Sequence, residues 1–209
     1  MAASHTRRTG QVGRPGYDLE SLLTVAVGVF NERGYDGASM DHLSQRLGIS
    51  KSSIYHHVSG KSELLRLAVD RALDSLFAVL DEPDTTTGAA IDRLEHLVRR
   101  SVHVLVEQLP YVTVLLRIRG NTTIERRALA RRREFDRFVS ALVKEASQDG
   151  SLRPDLDPDL IARLIFGTVN SLIEWYRPAR RIDADQIADT LVTMIFDGMR
   201  IGSARRPGP

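Results

Sequence analysis

Helix-capping residues recur at short intervals through the first third of the chain, and this spacing constrains the fold more than any other feature. Asp18 precedes an apolar helical face that stops at Gly34, and Ser39 precedes a second face that stops at Gly48. Short polar side chains before helices and glycines just after them are the usual signals of helix ends. Ser50 then precedes a third, shorter segment. The pattern predicts short helices joined by connections of a few residues.

Helical periodicity also governs the remainder of the chain. Ser59 is expected to cap a fourth helix that continues to about Leu80, and the polar stretch 81–88 closes a compact unit of roughly 60 residues. Five further helices are predicted at 89–109, 111–119, 122–150, 157–177 and 183–200. No segment alternates apolar and polar residues as a half-buried strand does. The sequence therefore predicts an all-α fold of about nine helices in two parts.

The domain boundaries follow from these segments in a chain of 209 residues. We expect a flexible basic arm at 1–16, a first helical domain at 17–81, a second at 82–201 and a disordered tail at 202–209. The arm holds Arg7, Arg8 and Arg14 without an acidic residue, and it lacks the apolar stretch of a secretory signal. A disordered end that resembles an expression tag explains the arm equally well.

Composition excludes several classes of protein. The chain has no cysteine, which removes disulfides and thiolate chemistry and favours a reducing compartment, most simply the cytoplasm. No apolar run approaches the ~20 residues that span a bilayer, so we expect no membrane partner. A phosphate-cradling glycine loop, a His-Glu-x-x-His pair and a nucleophile elbow are missing as well. We expect no enzyme activity and no bound cofactor.

Charge is balanced overall, with a formal net charge of +2, but it is unevenly distributed. Between residues 42 and 62 the charged side chains are Arg46, Lys51 and Lys61, and no acid lies among them. An acid-free basic stretch is what a surface that faces phosphates requires. Chance clustering produces such stretches too, so the spacing of the helices has to decide between the two interpretations.

The spacing around Gly48 matches a helix-turn-helix module, in which two short helices are joined by a tight turn that often contains glycine. The predicted second helix, 51–57, has Ile54 as its one strongly apolar residue, so a thin edge can face the core while the rest is exposed. Small polar side chains suit the major groove of DNA. The free N–H groups expected at Ser39, Ser50 and Ser59 suit phosphates. An ordinary surface helix is the alternative, and the turn together with the basic stretch favours DNA.

The segment Ser39 to Leu65, with the sequence SMDHLSQRLGISKSSIYHHVSGKSELL, strongly resembles the N-terminal signature of the TetR family of transcriptional regulators. The resemblance covers about residues 18–80, and Val58 stands where the family usually has an aromatic residue. It implies that Tyr55 and Lys61 contact phosphates, and that an arm with Arg14 follows the minor groove. The candidate DNA-binding residues are Arg14, Ser39, Ser50, Lys51, Ser52, Ser53, Tyr55, His56, His57 and Lys61, of which Lys51, Ser52 and His56 are expected near bases.

The segment 157–177 is apolar on nearly every face, as expected of a helix that is buried or shared with a partner subunit. With the last helix it is the best candidate for a two-fold interface of four helices. The resemblance implies the same, because TetR regulators dimerise through their last two long helices. A homodimer would place two recognition helices roughly 34 to 36 Å apart on a near-palindromic operator of double-stranded DNA.

The second domain resembles the part of TetR regulators that binds acyl-coenzyme A esters, in particular an actinobacterial subgroup that controls phenylacetate breakdown. The segments that carry this resemblance are 110–121 and 167–178. An acyl thioester such as phenylacetyl-CoA needs an apolar tunnel and cations for its phosphates. Aromatic side chains at helical spacing more often belong to a core, and a run of arginines is more often a solvated face. The candidate ligand-binding residues are Tyr111, Leu115, Arg119, Asn121, Arg133, Phe135, Phe138, Phe166, Asn170 and Trp175.

The sequence thus predicts a DNA-binding transcriptional repressor that a small effector releases. The effector would act by favouring a dimer whose recognition helices have the wrong separation, with the helix 59–80 linking the two domains. A regulator of another apolar ligand, such as a multidrug or fatty-acid sensor, is the first alternative. A helical interaction module that does not bind DNA is the second, and it predicts no operator preference and no salt-dependent binding.

Overall fold

A computed structural model describes residues 18–178 and 182–199, and within these ranges the chain forms α-helices and no β-strand. The all-α prediction is confirmed. Arg14, the arm and the tail lie outside the described residues. The helices are α1 Leu19–Gly37, α2 Met40–Leu47, α3 Lys51–Tyr55, α4 Lys61–Ala78, α5 Pro83–Thr86, α6 Ala90–Glu107, α7 Leu109–Arg117, α8 Thr123–Gln148, α9 Pro158–Asn170, α10 Leu172–Trp175 and α11 Ala184–Met199, with a 3-10 turn at Val79–Asp81.

All nine predicted helices are present, and two helices of four residues, α5 and α10, are added to them in the described ranges. The segment 157–177 is divided at Ser171 into α9 and α10, and α3 ends at Tyr55, two residues before its predicted end. The sequence predicted Ser59 as the N-cap of α4, and this prediction is wrong. The N-cap is Gly60. The remaining predicted caps are in place.

Local hydrogen bonds explain why the helices start where they do. The side chain of Ser39 accepts from the His42 amide, and that of Ser50 accepts from the Ser53 amide. At the start of α8, Thr122 and Glu125 form a capping box in which each side chain accepts from the other's backbone N–H. These contacts satisfy N–H groups that have no partner within the helix. Each helix start is therefore encoded by residues close to it in sequence.

Helix α4 belongs to both domains. It packs against α1 of the N-terminal domain and against α7 and α8 of the C-terminal domain. Leu64, Leu65 and Ala68 are fully buried in the N-terminal domain, whereas Ala72 and Leu76 line a cavity of the C-terminal domain. A displacement of α4 would therefore change the packing in both the N-terminal and the C-terminal domain, because close-packed interiors transmit small shifts.

Arg71 on α4 joins α1 to α7 and to the residue that precedes α7. Its guanidinium donates hydrogen bonds to Glu20 on α1, to Gln108 Oε1 before α7 at 3.0 Å and to the Tyr111 hydroxyl on α7 at 3.3 Å. The same guanidinium lies 4.4 Å from the centroid of the Tyr111 ring. A planar cation with several donors suits such a junction. Arg71 thus connects the N-terminal domain to α7.

The polar stretch 81–88, predicted as a boundary, contains helical structure in its first six residues. Thr85 in α5 is fully buried, and Glu82 accepts hydrogen bonds from His96 Nε2 at 2.7 Å and from Arg100 Nε at 3.0 Å. Burial raises the pKa of Glu82, but the hydrogen bonds from His96 and Arg100 outweigh burial and lower the pKa below its ordinary value. The Glu82 carboxylate therefore anchors the segment between the domains to α6.

Replacement of Glu82 by Gln is expected to lower the free energy of unfolding by about 1–3 kcal/mol at pH 7, because Arg100 and His96 lose their charged partner. The lowered pKa means that wild-type Glu82 stabilises the fold above its ordinary pKa, and that this contribution is lost as the pH falls through the lowered value. Urea denaturation from pH 7 to pH 3 measures the difference between the two proteins. A difference that is independent of pH would contradict this account.

Candidate nucleic-acid interface and effector cavity

Helices α2 and α3 form the expected helix-turn-helix, with Gly48 in the left-handed region at φ 66° in the turn. Ile54 is 0% exposed and anchors α3 to the core, while Tyr55 is 51% exposed. Lys51, Ser52 and the two histidines that follow α3 also face solvent. The helix therefore buries one edge and presents polar side chains on the rest of its surface, as the sequence predicted.

Lys51 forms an ion pair with Asp41, in which Nζ lies 2.7 Å from Oδ1. A hydrogen bond and the charge of Asp41 raise the pKa of the lysine above its ordinary value. Both side chains are at least half exposed, and an ion pair in solvent contributes little stability. Lys51 is consequently able to exchange Asp41 for another anion at little cost in free energy.

The N-terminus of α4 is occupied by a carboxylate. Glu63 Oε2 accepts from the Ser59 amide at 2.6 Å and from the Ser59 hydroxyl at 2.8 Å. These two hydrogen bonds lower the pKa of Glu63. The Ser59 groups that the sequence assigned to a phosphate therefore have a partner within the chain.

Lys61 holds the end of α1. Its ammonium donates hydrogen bonds to the carbonyl oxygens of Tyr35 at 2.8 Å and Ala38 at 2.9 Å, and it lies 4.3 Å from the centroid of the Tyr35 ring. An ammonium group has three donors, so one is left for a phosphate. The structure gives Lys61 a structural role that the sequence did not predict.

A cavity lies among α4, α6, α7, α8 and α9, in the C-terminal domain. Its volume is about 50 Å³, smaller than the ~150 Å³ of a protein cavity that holds benzene. Four of the predicted ligand-binding residues line it, namely Leu115, Phe135, Phe166 and Asn170. The rings of Phe135 and Phe166 meet edge to face with centroids 5.2 Å apart.

The other six predicted ligand-binding residues lie elsewhere. Tyr111 takes part in the Arg71 junction, and Arg119 and Asn121 line a separate cleft of about 600 Å³ between α1 and α7. Arg133 is exposed, and Phe138 packs against the core without lining the cavity. Trp175 is 48% exposed and faces a groove beside α11. Helical spacing in the sequence did not distinguish these six residues from those that line the cavity.

Two charged residues that were not among the candidates, Arg132 and Asp136, line the cavity. Desolvation lowers the pKa of Arg132 and raises the pKa of Asp136, which lies at the rim and keeps solvent exposure. A sequence signal for Arg132 exists. The buried residues of α8 include Phe135, Val139, Leu142 and Ala146, which are three or four residues apart, and Ala128 precedes Phe135 by seven. Position 132 lies between Ala128 and Phe135 at the spacing expected of another buried residue.

Helices α9 and α11 leave an apolar surface exposed. Leu160, Leu164, Trp175 and Met194 are among the large apolar side chains that solvent reaches, and Leu164 is 57% exposed. A groove of about 300 Å³ runs between Trp175 and Met194. Clustered apolar residues on a surface mark interaction sites. The segment 157–177, which the sequence predicted to be apolar on nearly every face, thus has one apolar face that is buried and one that is exposed.

Membrane insertion and metal binding are two further possibilities for residues 18–178 and 182–199. No described helix combines the length and apolar character needed to cross a membrane. In the same ranges no three His, Asp or Glu residues are grouped in a way that would hold a metal ion.

Comparison with known proteins agrees with this architecture. Residues 22–68 match the family described as bacterial regulatory proteins, tetR family, and residues 87–199 match the tetracyclin repressor-like C-terminal domain. The repressor KstR2 of Mycolicibacterium smegmatis is 25% identical over 197 residues, which cover 89% of this chain and 92% of that protein.

Solved structures show the same similarity. SCO3833 of Streptomyces coelicolor A3, a member of the TetR family, has a TM-score of 0.81 and 52% identity over 95% of this chain and 94% of its own. AibR, solved in complex with isovaleryl coenzyme A and operator DNA, has a TM-score of 0.72 and 25% identity over 85% of this chain and 97% of its own.

Replacement of Lys61 by Ala is expected to lower the free energy of unfolding by about 1–3 kcal/mol, because two carbonyl oxygens at the end of α1 lose a charged donor. Tyr55→Phe is the matched control, since its hydroxyl is exposed and makes no hydrogen bond within the part of the chain that the structure describes. Thermal or urea unfolding compares the two. Equal stability of the Lys61 variant and the wild type would show that this contact does not stabilise the domain.

Proposed function

Because the chain belongs to the TetR family of transcriptional regulators, we propose that it is a repressor that binds a near-palindromic operator as a homodimer and is released by an acyl-CoA thioester such as phenylacetyl-CoA. One observation carries the first half of this proposal. Helix α3 buries Ile54 and exposes its hydroxyl and basic side chains. A polar helix held to the core by one edge is free to enter the major groove. The protein would act in the cytoplasm, where chromosomal DNA lies.

The roles of the exposed residues follow from their chemistry. Tyr55 and Lys51 reach outward and suit phosphates or base edges, whereas the short side chain of Ser52 suits base edges near the helix start. The hydroxyls of Ser50 and Ser53 lie 2.9 Å apart and fix the first turn of α3. These contacts position the helix before it meets DNA, which reduces the ordering required on binding.

The apolar surface of α9 and α11 supports a homodimer. Leu164 and Met194 would be buried against the same surface of a second copy, since a two-fold interface uses one patch twice. Dimerisation then fixes the distance between the two α3 helices, which a near-palindromic operator requires.

The cavity supports an apolar effector. At about 50 Å³ it admits a phenyl or branched acyl group only if the surrounding helices move apart. Val112 and Leu115 of α7 face the cavity, while Tyr111 of the same helix contacts Arg71 and α1. An effector that widens the cavity therefore displaces the helices that support the N-terminal domain.

The effector shifts the population only by its difference in affinity for the two arrangements of the dimer. A change from 99:1 to 1:99 needs about 5.5 kcal/mol. Burial of a phenyl group supplies about 1.5–3 kcal/mol per site, so two sites in a dimer supply a large part of that value. The acyl-bound AibR structure, which also contains operator DNA, makes an acyl thioester a reasonable first ligand to test.

A second candidate is a regulator that senses another apolar molecule, such as a fatty acid or a drug. The lining of the cavity favours it in one respect, because ten of its fourteen residues are apolar. The two candidates differ in the need for coenzyme A and share the same DNA-binding surface.

The central experiment measures binding to the DNA directly upstream of the chain's own gene, with and without phenylacetyl-CoA. We expect tight binding without the ester and release with it. Tyr55→Phe should weaken binding to every DNA sequence similarly, because it removes a phosphate contact, whereas Ser52→Ala should reduce the preference for the operator. Operator binding that no acyl thioester reverses would remove the effector and leave the DNA-binding function intact.

The dimer is tested by replacing Leu164 with Glu, which puts a charge into the proposed interface. We expect a monomer in sedimentation velocity and at least a tenfold loss of operator affinity, since a single α3 reads half a site. Arg133→Glu, on an exposed position of α8, is the control and should stay dimeric. A Leu164 variant that remains dimeric would place the interface elsewhere.

A further inference from the structure

Arg132 occupies a position on α8 that the periodicity reserves for the core. It lies four residues after Ala128 and three before Phe135, both of which are buried. A charged residue at a core position is unfavourable unless it has a function. Its side chain is partly buried and lines the cavity. Its guanidinium forms no hydrogen bond or salt bridge with the residues that the structure describes, although the charge of Asp136 acts on it.

The register between α8 and α9 places Arg132 beside Asn170. Phe135 of α8 contacts Phe166 of α9, and Asp136 is close enough to Arg163 to feel its charge. Together with the lining of one cavity by Arg132 of α8 and Asn170 of α9, the Phe135–Phe166 contact indicates that the two helices run antiparallel. One turn before Phe135 is Arg132, and one turn after Phe166 is Asn170, which also lines the cavity.

The cavity is therefore apolar along most of its wall and polar at one end. Ser101, the remaining polar residue of the lining, already donates its hydroxyl to the Leu97 carbonyl oxygen at 2.7 Å. A guanidinium and a carboxamide supply N–H donors, and an oxygen acceptor on an otherwise apolar ligand would satisfy them. Hydrogen bonds from a charged donor are about twice as strong as neutral ones.

We propose that Arg132, with Asn170 opposite it, binds the carbonyl group of the effector, and that this pair makes the cavity selective for acyl compounds over hydrocarbons of the same shape. The inference rests on the proposed effector cavity and is independent of the DNA-binding surface. The shared chemistry is an acyl oxygen, which either a free carboxylate or a thioester supplies. Asp136 at the rim stays near enough to both arginines to balance their charge.

The test compares ligands that share one apolar group and carry a CoA thioester, a free carboxylate or no carbonyl at all. Phenylacetyl-CoA, phenylacetate and ethylbenzene form one series, and octanoyl-CoA, octanoate and octane form the other. Direct binding to the full chain is measured by calorimetry, or by thermal shift for the volatile hydrocarbons. We expect the wild type to bind the acyl compounds of at least one series at least tenfold more tightly than the hydrocarbon. Comparison of the CoA thioester with the free acid in each series shows which of the two compounds the protein prefers.

Arg132→Gln should lose about tenfold to 100-fold in acyl binding while keeping its affinity for the hydrocarbon. Arg127→Gln is the control, because it removes the same charge five residues away at an exposed position of α8, and it should bind like the wild type. Arg132→Lys should recover part of the loss, since it keeps the charge without the planar donor pair.

Three outcomes would overturn the inference. The first is an Arg132→Gln protein that retains the preference for acyl compounds, and the second is equal loss of acyl and hydrocarbon binding, which indicates a structural role. The third is a wild type that binds none of the acyl compounds. Operator binding measured without ligand separates this result from the proposed function, because Arg132→Gln should bind the operator as the wild type does.

Discussion

The packing of α4 is the constraint on which the rest of the structure depends. Leu64, Leu65 and Ala68 in its N-terminal half are fully buried, and Ala72 and Leu76 in its C-terminal half form part of the cavity wall. At one end Lys61 holds the carbonyl oxygens of α1, and near the middle Arg71 reaches α1 and α7 together. One rigid helix thus fixes the orientation of the DNA-binding surface relative to the sensor helices.

Under the proposed function, this arrangement would let a small cavity influence a distant surface. Close-packed helices move as units rather than deforming continuously, so an increase in cavity volume would displace α4 and α7 instead of being absorbed locally. The Arg71 guanidinium links α4 to both α1 and α7, because it donates hydrogen bonds to an acid, an amide and a phenol at once. The proposed effector would therefore act on the pair of α3 helices through the elements that hold them, without touching DNA.

The features that sequence reasoning predicted well are local ones. Asp18, Ser39 and Ser50 cap helices in the structure as predicted, because a cap depends on residues within one turn of it. The exposure of α3 was likewise readable from Ile54, its one apolar anchor. Family resemblance and periodicity agreed here, and the family models that match residues 22–68 and 87–199 confirm the family.

The features that were missed depend on contacts between distant segments. Lys61 and Tyr35 are 26 residues apart in sequence, and nothing local indicates that the lysine turns toward α1. Trp175 and Phe166 are both aromatic residues of the same apolar segment, yet one faces the exposed groove and the other the cavity. Arg132 is the instructive case, because the spacing of the buried face of α8 did mark its position while its charge suggested solvent.

The measurement that tests the central claim most directly is the salt dependence of binding to upstream DNA and to an unrelated duplex. If α3 enters the groove and its neighbours contact phosphates, the logarithm of the affinity falls linearly and steeply with the logarithm of salt concentration for both duplexes, and the upstream DNA is bound more tightly throughout. Weak binding that shows neither salt dependence nor a preference between the duplexes would contradict the account.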